Sequence, residues 1–114
     1  MRIRCLLRKL LPAILVAAIL ASCVSSEEKA ALNDPDVILA QAKQAYFEKR
    51  YRQVFELLFP LAAAGDARAQ YTLGYLYHHG LGVTKSDQQA MNWIQRAAAQ
   101  GNKKALQALE QAKE

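Results

Sequence analysis

Apolar residues recur every three or four positions from Asp34 to the last residue, and no stretch alternates apolar and polar residues as a half-buried strand does. The pattern falls into five segments, each with one apolar face. Lys49 continues the helical spacing of the first segment. We therefore expect five amphipathic helices and an all-α fold. The apolar faces are Ile38, Ala42 and Ala45; Tyr51, Val54, Leu58 and Leu61; Ala69, Leu73, Leu76 and Tyr77; Ala90, Trp93, Ile94, Ala97 and Ala98; and Ala105, Leu109 and Ala112.

Stop and start signals separate these segments. A glycine allows the left-handed end of one helix, and a short polar side chain then caps the next helix. Pro60 is an exception, because it falls inside the second segment, removes one hydrogen bond and should kink that helix. The signals are Asp34-Pro35, Gly65-Asp66, Gly80, Ser86 with Gln89 as a capping box, and Gly101-Asn102.

One of these junctions occurs twice. The sequence of residues 62–66 returns in similar form at residues 98–102, which places Gly65 and Gly101 36 residues apart (101 minus 65). A two-helix unit of this length indicates an α-solenoid, in which each unit packs on the next. We expect a short α-α solenoid of two helical hairpins, with the segment after Asn102 as a C-terminal capping helix that favours a monomeric domain.

The second unit has a dense set of small, aromatic and glycine positions. They are Ala67-Arg68-Ala69-Gln70-Tyr71-Thr72-Leu73-Gly74-Tyr75-Leu76-Tyr77, Gly80-Leu81-Gly82-Val83, Asp87, Ala90, Trp93, Ala97-Ala98 and Gly101. With these residues the unit resembles a complete Sel-one-like repeat, a relative of the tetratricopeptide repeat with a longer loop between its helices. The preceding unit, residues 35–66, resembles a degenerate tetratricopeptide hairpin, since Ala42 stands at the position of the signature glycine and the long loop is missing.

The signature residues also have a direct physical interpretation. Small side chains at Ala69 and Gly74 predict that two helices cross closely there. Tyr77, Trp93 and Ile94 are large enough to fill the gap between neighbouring hairpins. We interpret these positions as determinants of the fold without a chemical role.

Residues 1–22 have the pattern of a secretory signal peptide. All their charges are positive and lie in the first nine residues, and about a dozen mostly apolar residues follow from Leu10 to Ala21. A bilayer-spanning helix needs roughly 20 such residues. The sequence therefore predicts export and not a membrane span at this end of the chain.

The end of this segment, Leu20-Ala21-Ser22-Cys23, resembles the lipobox of bacterial lipoproteins. The resemblance implies cleavage before Cys23, a diacylglyceryl thioether on its sulfur and acylation of its amine by palmitate. An ordinary signal peptide followed by a chance cysteine is the alternative. Val24 is not the aspartate associated with inner-membrane retention, which favours an outer-membrane anchor facing the periplasm. Residues 23–33 then form a lipidated, flexible tether, and residues 34–114 the repeat domain.

Removal of the signal segment changes how the net charge of +5 is interpreted. Four of the 15 Lys and Arg residues leave with it, so 11 remain against 10 acidic residues, a net charge of about +1. This near balance gives no support to nucleic-acid binding. Cys5 also leaves and Cys23 is modified, so that no free cysteine remains for a disulfide or a metal site.

The candidate chemistry is sparse. His78 and His79 are adjacent, and neighbouring helical side chains diverge by about 100°, so the pair serves one metal ion poorly even with Asp87 across the loop. The sequence contains no Ser-His-Asp set, paired carboxylate cleft or glycine-rich phosphate loop. We therefore expect no enzyme activity, no metal and no cofactor.

A surface is the better candidate site. In tetratricopeptide-like solenoids the first helices of successive hairpins line a concave groove, and their aromatic and basic side chains suit an extended peptide. The alternative is that these aromatic rings only pack between hairpins and over the N-terminal end. Transferring the pattern gives a candidate groove of Leu39, Lys43, Tyr46, Phe47, Arg68, Tyr71, Tyr75, His78 and His79.

Two functional hypotheses follow. The first is a lipid-anchored, non-enzymatic adaptor that binds a protein or peptide at the periplasmic side of the bacterial envelope. The second is a structural or accessory envelope component that contacts peptidoglycan or a membrane complex through its exposed solenoid ends.

Overall fold

A computed structural model describes residues 30–114. The predicted signal peptide (1–22) and Cys23 lie outside the described residues. Of the predicted tether (23–33), the structure describes only residues 30–33, of which 30–32 are helical. The compact helical unit extends from Pro35 to Glu114.

Five helices form this unit: α1 (Pro35–Phe47), α2 (Tyr51–Ala63), α3 (Ala67–His79), α4 (Asp87–Ala99) and α5 (Lys103–Gln111). Each helix packs against the next in the chain, which gives the hairpins α1–α2 and α3–α4 followed by α5. No strand occurs within residues 30–114. The all-α solenoid predicted from the sequence is thus confirmed for the described part of the chain. None of these helices is long and apolar enough to cross a bilayer.

The repeated junction forms the same structure at both of its occurrences. Gly65 and Gly101 have left-handed φ angles of 106° and 84°, which glycine adopts without steric cost. The backbone N–H groups of each glycine and of the following residue donate to carbonyls in the last turn of the preceding helix. Asp66 and Asn102 then cap the next helix, and accept hydrogen bonds from the N–H groups of Ala69 and Ala105, respectively.

The end of α1 corrects one sequence-based expectation. Lys49 was expected to continue the helix, but α1 ends at Phe47 and Lys49 has a φ of 60°. The N–H of Lys49 donates to the Tyr46 carbonyl, and the N–H of Arg50 donates to the Ala45 carbonyl, the same pattern that closes α2 and α4. A lysine thus occupies the left-handed position that glycine takes at the other junctions.

Only one of the two hydrogen bonds of the predicted capping box forms at the start of α4. The Ser86 hydroxyl accepts a hydrogen bond from the Gln89 N–H at 3.3 Å, which confirms the cap. The N–H of Ser86 donates to the Tyr77 carbonyl and is therefore not the partner of the Gln89 side chain. The loop before α4 is tied back to α3 by this bond.

Pro60 lies within α2, which continues to Ala63. The N–H of Ala64 still donates to the Pro60 carbonyl at 3.0 Å, so the helix closes normally after the proline. The kink expected from the sequence stays a prediction.

Small side chains dominate the core. Eight of the 13 buried hydrophobic residues are alanines. At Gly74 of α3, a Cβ atom would lie 2.5 Å from Cγ1 of Ile94 and 3.0 Å from the carbonyl oxygen of Ala90, both in α4. The predicted close crossing at Gly74 is therefore confirmed, and it leaves no room for one added methyl group.

Large side chains fill the space between the hairpins at two of the three predicted positions. Tyr77 contacts the Phe55 ring at 5.7 Å between centroids, and Trp93 contacts the Phe59 ring at 6.1 Å. Ile94 does not share this position, because it packs in a second cluster with small residues of α4 and α5.

The long loop between α3 and α4 is held against α2. Gly82 has a φ of 70°, and a Cβ on it would lie 2.5 Å from the backbone nitrogen of Arg52 and the carbonyl carbon of Tyr51. Leu81 and Val83 on either side pack against the main core. This loop is therefore part of the packed structure.

A buried amide joins the two repeated junctions. The Gln70 side chain is 5% exposed, and its Nε2 donates to the Ala62 carbonyl at 3.0 Å. Its Oε1 accepts a hydrogen bond from Nε2 of Gln100 at 2.9 Å. Because both polar atoms are satisfied, the burial of Gln70 carries no unpaired-group penalty and links the ends of α2 and α4.

Replacing Lys49 with glycine should stabilise the domain. A side chain with a Cβ is strained at a φ of 60°, and relief of that strain is expected to raise the free energy of unfolding by about 1 kcal/mol. Urea denaturation followed by circular dichroism measures the change. Lys49→Ala is the matched control, since it removes the same charge but keeps the Cβ. Equal stabilities of the glycine and alanine variants would contradict the prediction.

Candidate functional site

Helices α1, α3 and α5 are the first helices of successive repeat units, and two pockets lie along them. The N-side pocket, between α1 and α3, has a volume of about 450 Å³. Leu39, Lys43 and Tyr46 line it from α1, and Tyr71 and Tyr75 line it from α3. The other residues that line it include Ala42, Val54, Leu58 and Lys104.

The C-side pocket is formed by α3, α4 and α5 and has a volume of about 520 Å³. Tyr71 and Tyr75 line this pocket as well, so the two tyrosines form a wall that the pockets share. The other lining residues are His78, His79, Asp87, Ala90, Met91, Ile94, Ala108, Leu109, Gln111 and Ala112.

Seven of the nine candidate groove residues line one of these pockets, and Phe47 and Arg68 lie outside both. The Phe47 side chain is 69% exposed, and its ring lies 6.3 Å from that of Tyr46. The structure thus divides the predicted groove into two pockets. Whether they bind a partner stays a prediction.

The aromatic side chains both pack and line the pockets. The Tyr46 ring lies 5.4 Å from that of Tyr51 and 6.4 Å from that of Tyr75, and the Tyr75 ring lies 4.3 Å from that of His79. Hydrogen bonding to the Tyr75 side chain, followed by desolvation and the charges of Tyr75 and Tyr51, raises the pKa of Tyr46 to about 12. The Tyr46 hydroxyl is therefore neutral at physiological pH. The packing and groove interpretations of these rings are compatible.

Arg68 is engaged in ion pairs at the start of α3. Its Nη2 lies 2.8 Å from Oδ2 of Asp66, and its Nη1 lies 2.8 Å from Oδ1 of Asp36 at the start of α1. The Arg68 side chain, and then the backbone N–H groups of Ala69 and Arg68, hold the pKa of Asp66 below its ordinary value against the opposing effect of burial. Arg68 thus joins α1 to α3 and lines neither of the two pockets.

The histidine pair lies at the rim of the C-side pocket. Nδ1 of His78 is 2.9 Å from Oδ1 of Asp87, and the rings of His78 and His79 are 4.9 Å apart. Within residues 30–114, no group of three His, Cys, Asp or Glu side chains is placed to hold a metal ion. The pair His78–Asp87 connects the end of α3 with the beginning of α4.

Helix α5 contributes to both pockets, which the sequence analysis missed when it treated this segment only as a cap. Lys104 lines the N-side pocket, and Ala108 and Leu109 line the C-side pocket. The 36-residue period contained the signal, because it aligns Lys104 with Arg68 and hence α5 with the groove helix α3.

Comparison with known proteins identifies the second unit. Residues 67–102 match the family model of the Sel1 repeat, a repeat that mediates protein–protein interactions. Three relatives align with part of the chain. They are the chitin synthase regulator SKT5 of Saccharomyces cerevisiae, 38% identical over 63 residues; the putative sel1-like repeat-containing protein L18 of Acanthamoeba polyphaga mimivirus, 44% identical over 45 residues; and chitin synthase regulatory factor 3 of Schizosaccharomyces pombe, 44% identical over 50 residues.

The aligned segments cover 55%, 40% and 44% of this chain, respectively, but only 9%, 8% and 5% of the three relatives. The similarity therefore concerns the repeat and not the whole of any relative. No solved structure matches the chain significantly.

The capping ion pair at Asp66 predicts a pH dependence of stability. The pKa of Asp66 is lowered in the folded state, so its charge stabilises the fold above the ordinary value of 3.8, and this contribution is lost as the pH falls through the folded value. An asparagine in its place would keep a capping oxygen without the charge. We expect the wild type to exceed Asp66→Asn by up to about 1 kcal/mol at pH 7 and by less at pH 2.

Urea denaturation of both proteins between pH 7 and pH 2 measures this difference. Asp66→Ala serves as the control for the cap itself and should cost about 1 kcal/mol more than Asp66→Asn at every pH. A gap between wild type and Asp66→Asn that does not change with pH would refute the assignment.

Proposed function

Because residues 67–102 form a Sel1 repeat, we propose that this chain is a non-enzymatic adaptor, anchored to a bacterial membrane through Cys23, that binds a protein at the periplasmic side of the envelope. One observation carries the binding role. Two pockets of about 450 and 520 Å³ lie side by side along the first helices of the repeat units and share a tyrosine wall.

The chemistry of the pockets supports binding. Tyrosine rings supply a large contact area with few rotatable bonds, and such residues contribute strongly at protein interfaces. Leu39, Ile94 and Leu109 add apolar surface, and Lys43 and Lys104 add positive charge. His78 and Asp87 form an exposed pair at the rim of the C-side pocket. We assign no catalytic step to this pair.

The names of two relatives support the same role. One is named a regulator and the other a regulatory factor of chitin synthase, so both names describe regulation of an enzyme. By analogy, this chain would act on another protein through its repeat.

The anchor is proposed from the sequence. A basic start, a short apolar run and Leu20-Ala21-Ser22-Cys23 together have the form of a lipoprotein export signal. Two or more acyl chains would hold the mature chain stably on a membrane, whereas one chain binds only marginally. Val24 favours sorting to the outer membrane.

Metabolic labelling with an alkyne analogue of palmitate in a Gram-negative host tests the anchor. The wild type should be labelled and should float with membranes in a sucrose gradient, and Cys23→Ser should lose both properties. Cys5→Ser is the matched control and should behave as the wild type, because Cys5 precedes the cleavage site. Equal labelling of the Cys23→Ser and Cys5→Ser variants would contradict lipidation at Cys23.

Photo-crosslinking in cells tests the binding face. A crosslinking amino acid in place of Lys43 or Gln111, at the two pockets, should give a discrete protein adduct. The same amino acid at Glu56 of α2 or Gln95 of α4, both exposed and outside the two pockets, should not. Adding Tyr75→Ala should lower the adduct yield at least about fivefold, as loss of a central interface aromatic does.

Circular dichroism of the Tyr75→Ala variant establishes that it remains folded. Equal adducts from the pocket positions and from Glu56 and Gln95 would contradict a binding face at the pockets. Recovery of the chain with purified sacculi, without a protein adduct, would favour the peptidoglycan-contacting component instead.

A further inference from the structure

The N-side pocket has charges of one sign only. Its charged lining residues are Lys43 of α1 and Lys104 of α5, above an apolar floor that includes Leu39, Val54 and Leu58. No carboxylate is among the residues that line it. A ligand in this pocket would therefore meet two lysine side chains and no carboxylate, beside an apolar surface.

These two lysines differ from the arginines nearby, which are neutralised by neighbours. Arg50 pairs with Glu48, Arg52 pairs with Glu56, and Arg68 pairs with two aspartates. Neither Lys43 nor Lys104 forms an ion pair with a described residue. The Lys43 ammonium instead lies 6.0 Å from the centre of the exposed Phe47 ring. The positive charge of the pocket is thus available to an anionic ligand.

The C-side pocket differs in character. Met91, Ile94 and Leu109 give it an apolar lining, and its carboxylate, Asp87, is already paired with His78. Because Tyr71 and Tyr75 border both pockets, a single ligand that crosses these two tyrosines would contact a basic pocket and then an apolar one.

We propose that this face recognises one peptide segment of a partner protein, in which acidic residues contact Lys43 and Lys104 and a bulky apolar side chain enters the C-side pocket. The inference rests on the proposed adaptor function and names the chemistry of its partner. Charge complementarity specifies the acidic part, and the lining of the second pocket specifies the apolar part. Two lysines are too few for the extended phosphate contacts of nucleic-acid binding.

Peptide phage display on the purified full-length chain in detergent tests this recognition. A random library of 12-residue peptides should yield sequences that combine Asp or Glu with Leu, Ile, Phe or Trp. The same selection on a Lys43→Glu/Lys104→Glu double variant should yield basic peptides. Lys103→Glu is the matched control, since Lys103 precedes Lys104 on α5 but lines neither pocket, and it should select acidic peptides like the wild type.

Fluorescence anisotropy with the strongest selected peptide gives the quantitative test. Lys43→Gln and Lys104→Gln should each weaken binding about two- to fivefold, and binding should weaken further at high salt. Lys103→Gln should leave the dissociation constant unchanged. Since all three lysines are exposed, these variants are expected to fold normally.

The apolar part is tested separately with tryptophan substitutions on α5. Ala108→Trp should fill the C-side pocket and weaken the peptide at least tenfold, and Gln107→Trp, on an exposed position outside the pocket, should have no such effect. If circular dichroism shows that Ala108→Trp is unfolded, Met91→Ala gives a second test, because it removes part of the apolar lining. It should weaken binding of the selected peptide more than binding of the same peptide with its Leu, Ile, Phe or Trp replaced by alanine.

The outcomes distinguish this inference from the proposed function. Selection of peptides without acidic enrichment, or of the same peptides by the wild type and the double glutamate variant, would overturn the inference. If the crosslinks at Lys43 and Gln111 nevertheless persisted, the adaptor function would stand. A failure to select any peptide would overturn the inference as well, and the absence of crosslinks would overturn the function itself.

Discussion

Helices α3 and α4 cross at Gly74 with no space for an added methyl group, and this close approach determines much of the remaining structure. Helix axes can come so near only where the facing side chains are small, and alanines accordingly form most of the core. A core of alanines buries little apolar area for each residue. Four larger apolar side chains complete this core, namely Val54, Leu58, Leu73 and Leu76, and the aromatic side chains find their contacts between the hairpins and along the first helices.

The distribution of aromatic residues follows from this arrangement. On one side of the domain, Tyr77 and Trp93 fill the space beside α2. On the other side, Tyr46 and Tyr75 contact each other, yet leave pockets next to their rings. The same side chains thus stabilise the contact between repeat units and supply the surface for a ligand. A solenoid of this size has no separate scaffold on which a binding site could be placed.

The sequence predicted the helices and the repeat because both depend on local features: the spacing of apolar residues, the glycines and the capping side chains. It did not predict the end of α1, since Lys49 does not favour the left-handed conformation that it adopts. The 36-residue period aligned α5 with the groove helix α3, but it gave no basis for dividing the groove into two pockets. That division depends on how far apart α1, α3 and α5 lie, and periodicity defines the face of a helix but not its distance from a neighbour. Arg68 was predicted to line the groove because it is a basic residue of the groove helix, but its charge is paired with Asp36 and Asp66.

The contact of Gly82 with the backbone of α2 bears on where the chain can be lengthened. Long loops are usually the first choice for inserting a tag or a reporter domain, because they tolerate added residues. Here the loop at Gly82 has no spare volume, whereas an ideal Cβ at Gly65 or Gly101 would meet nothing within 4 Å. That free space does not make the short junctions permissive to insertion, because their backbone N–H groups close one helix and Asp66 and Asn102 cap the next. A whole 36-residue unit repeats such a junction unchanged, so growth of the protein by units is compatible with its packing in a way that growth of its longest loop is not.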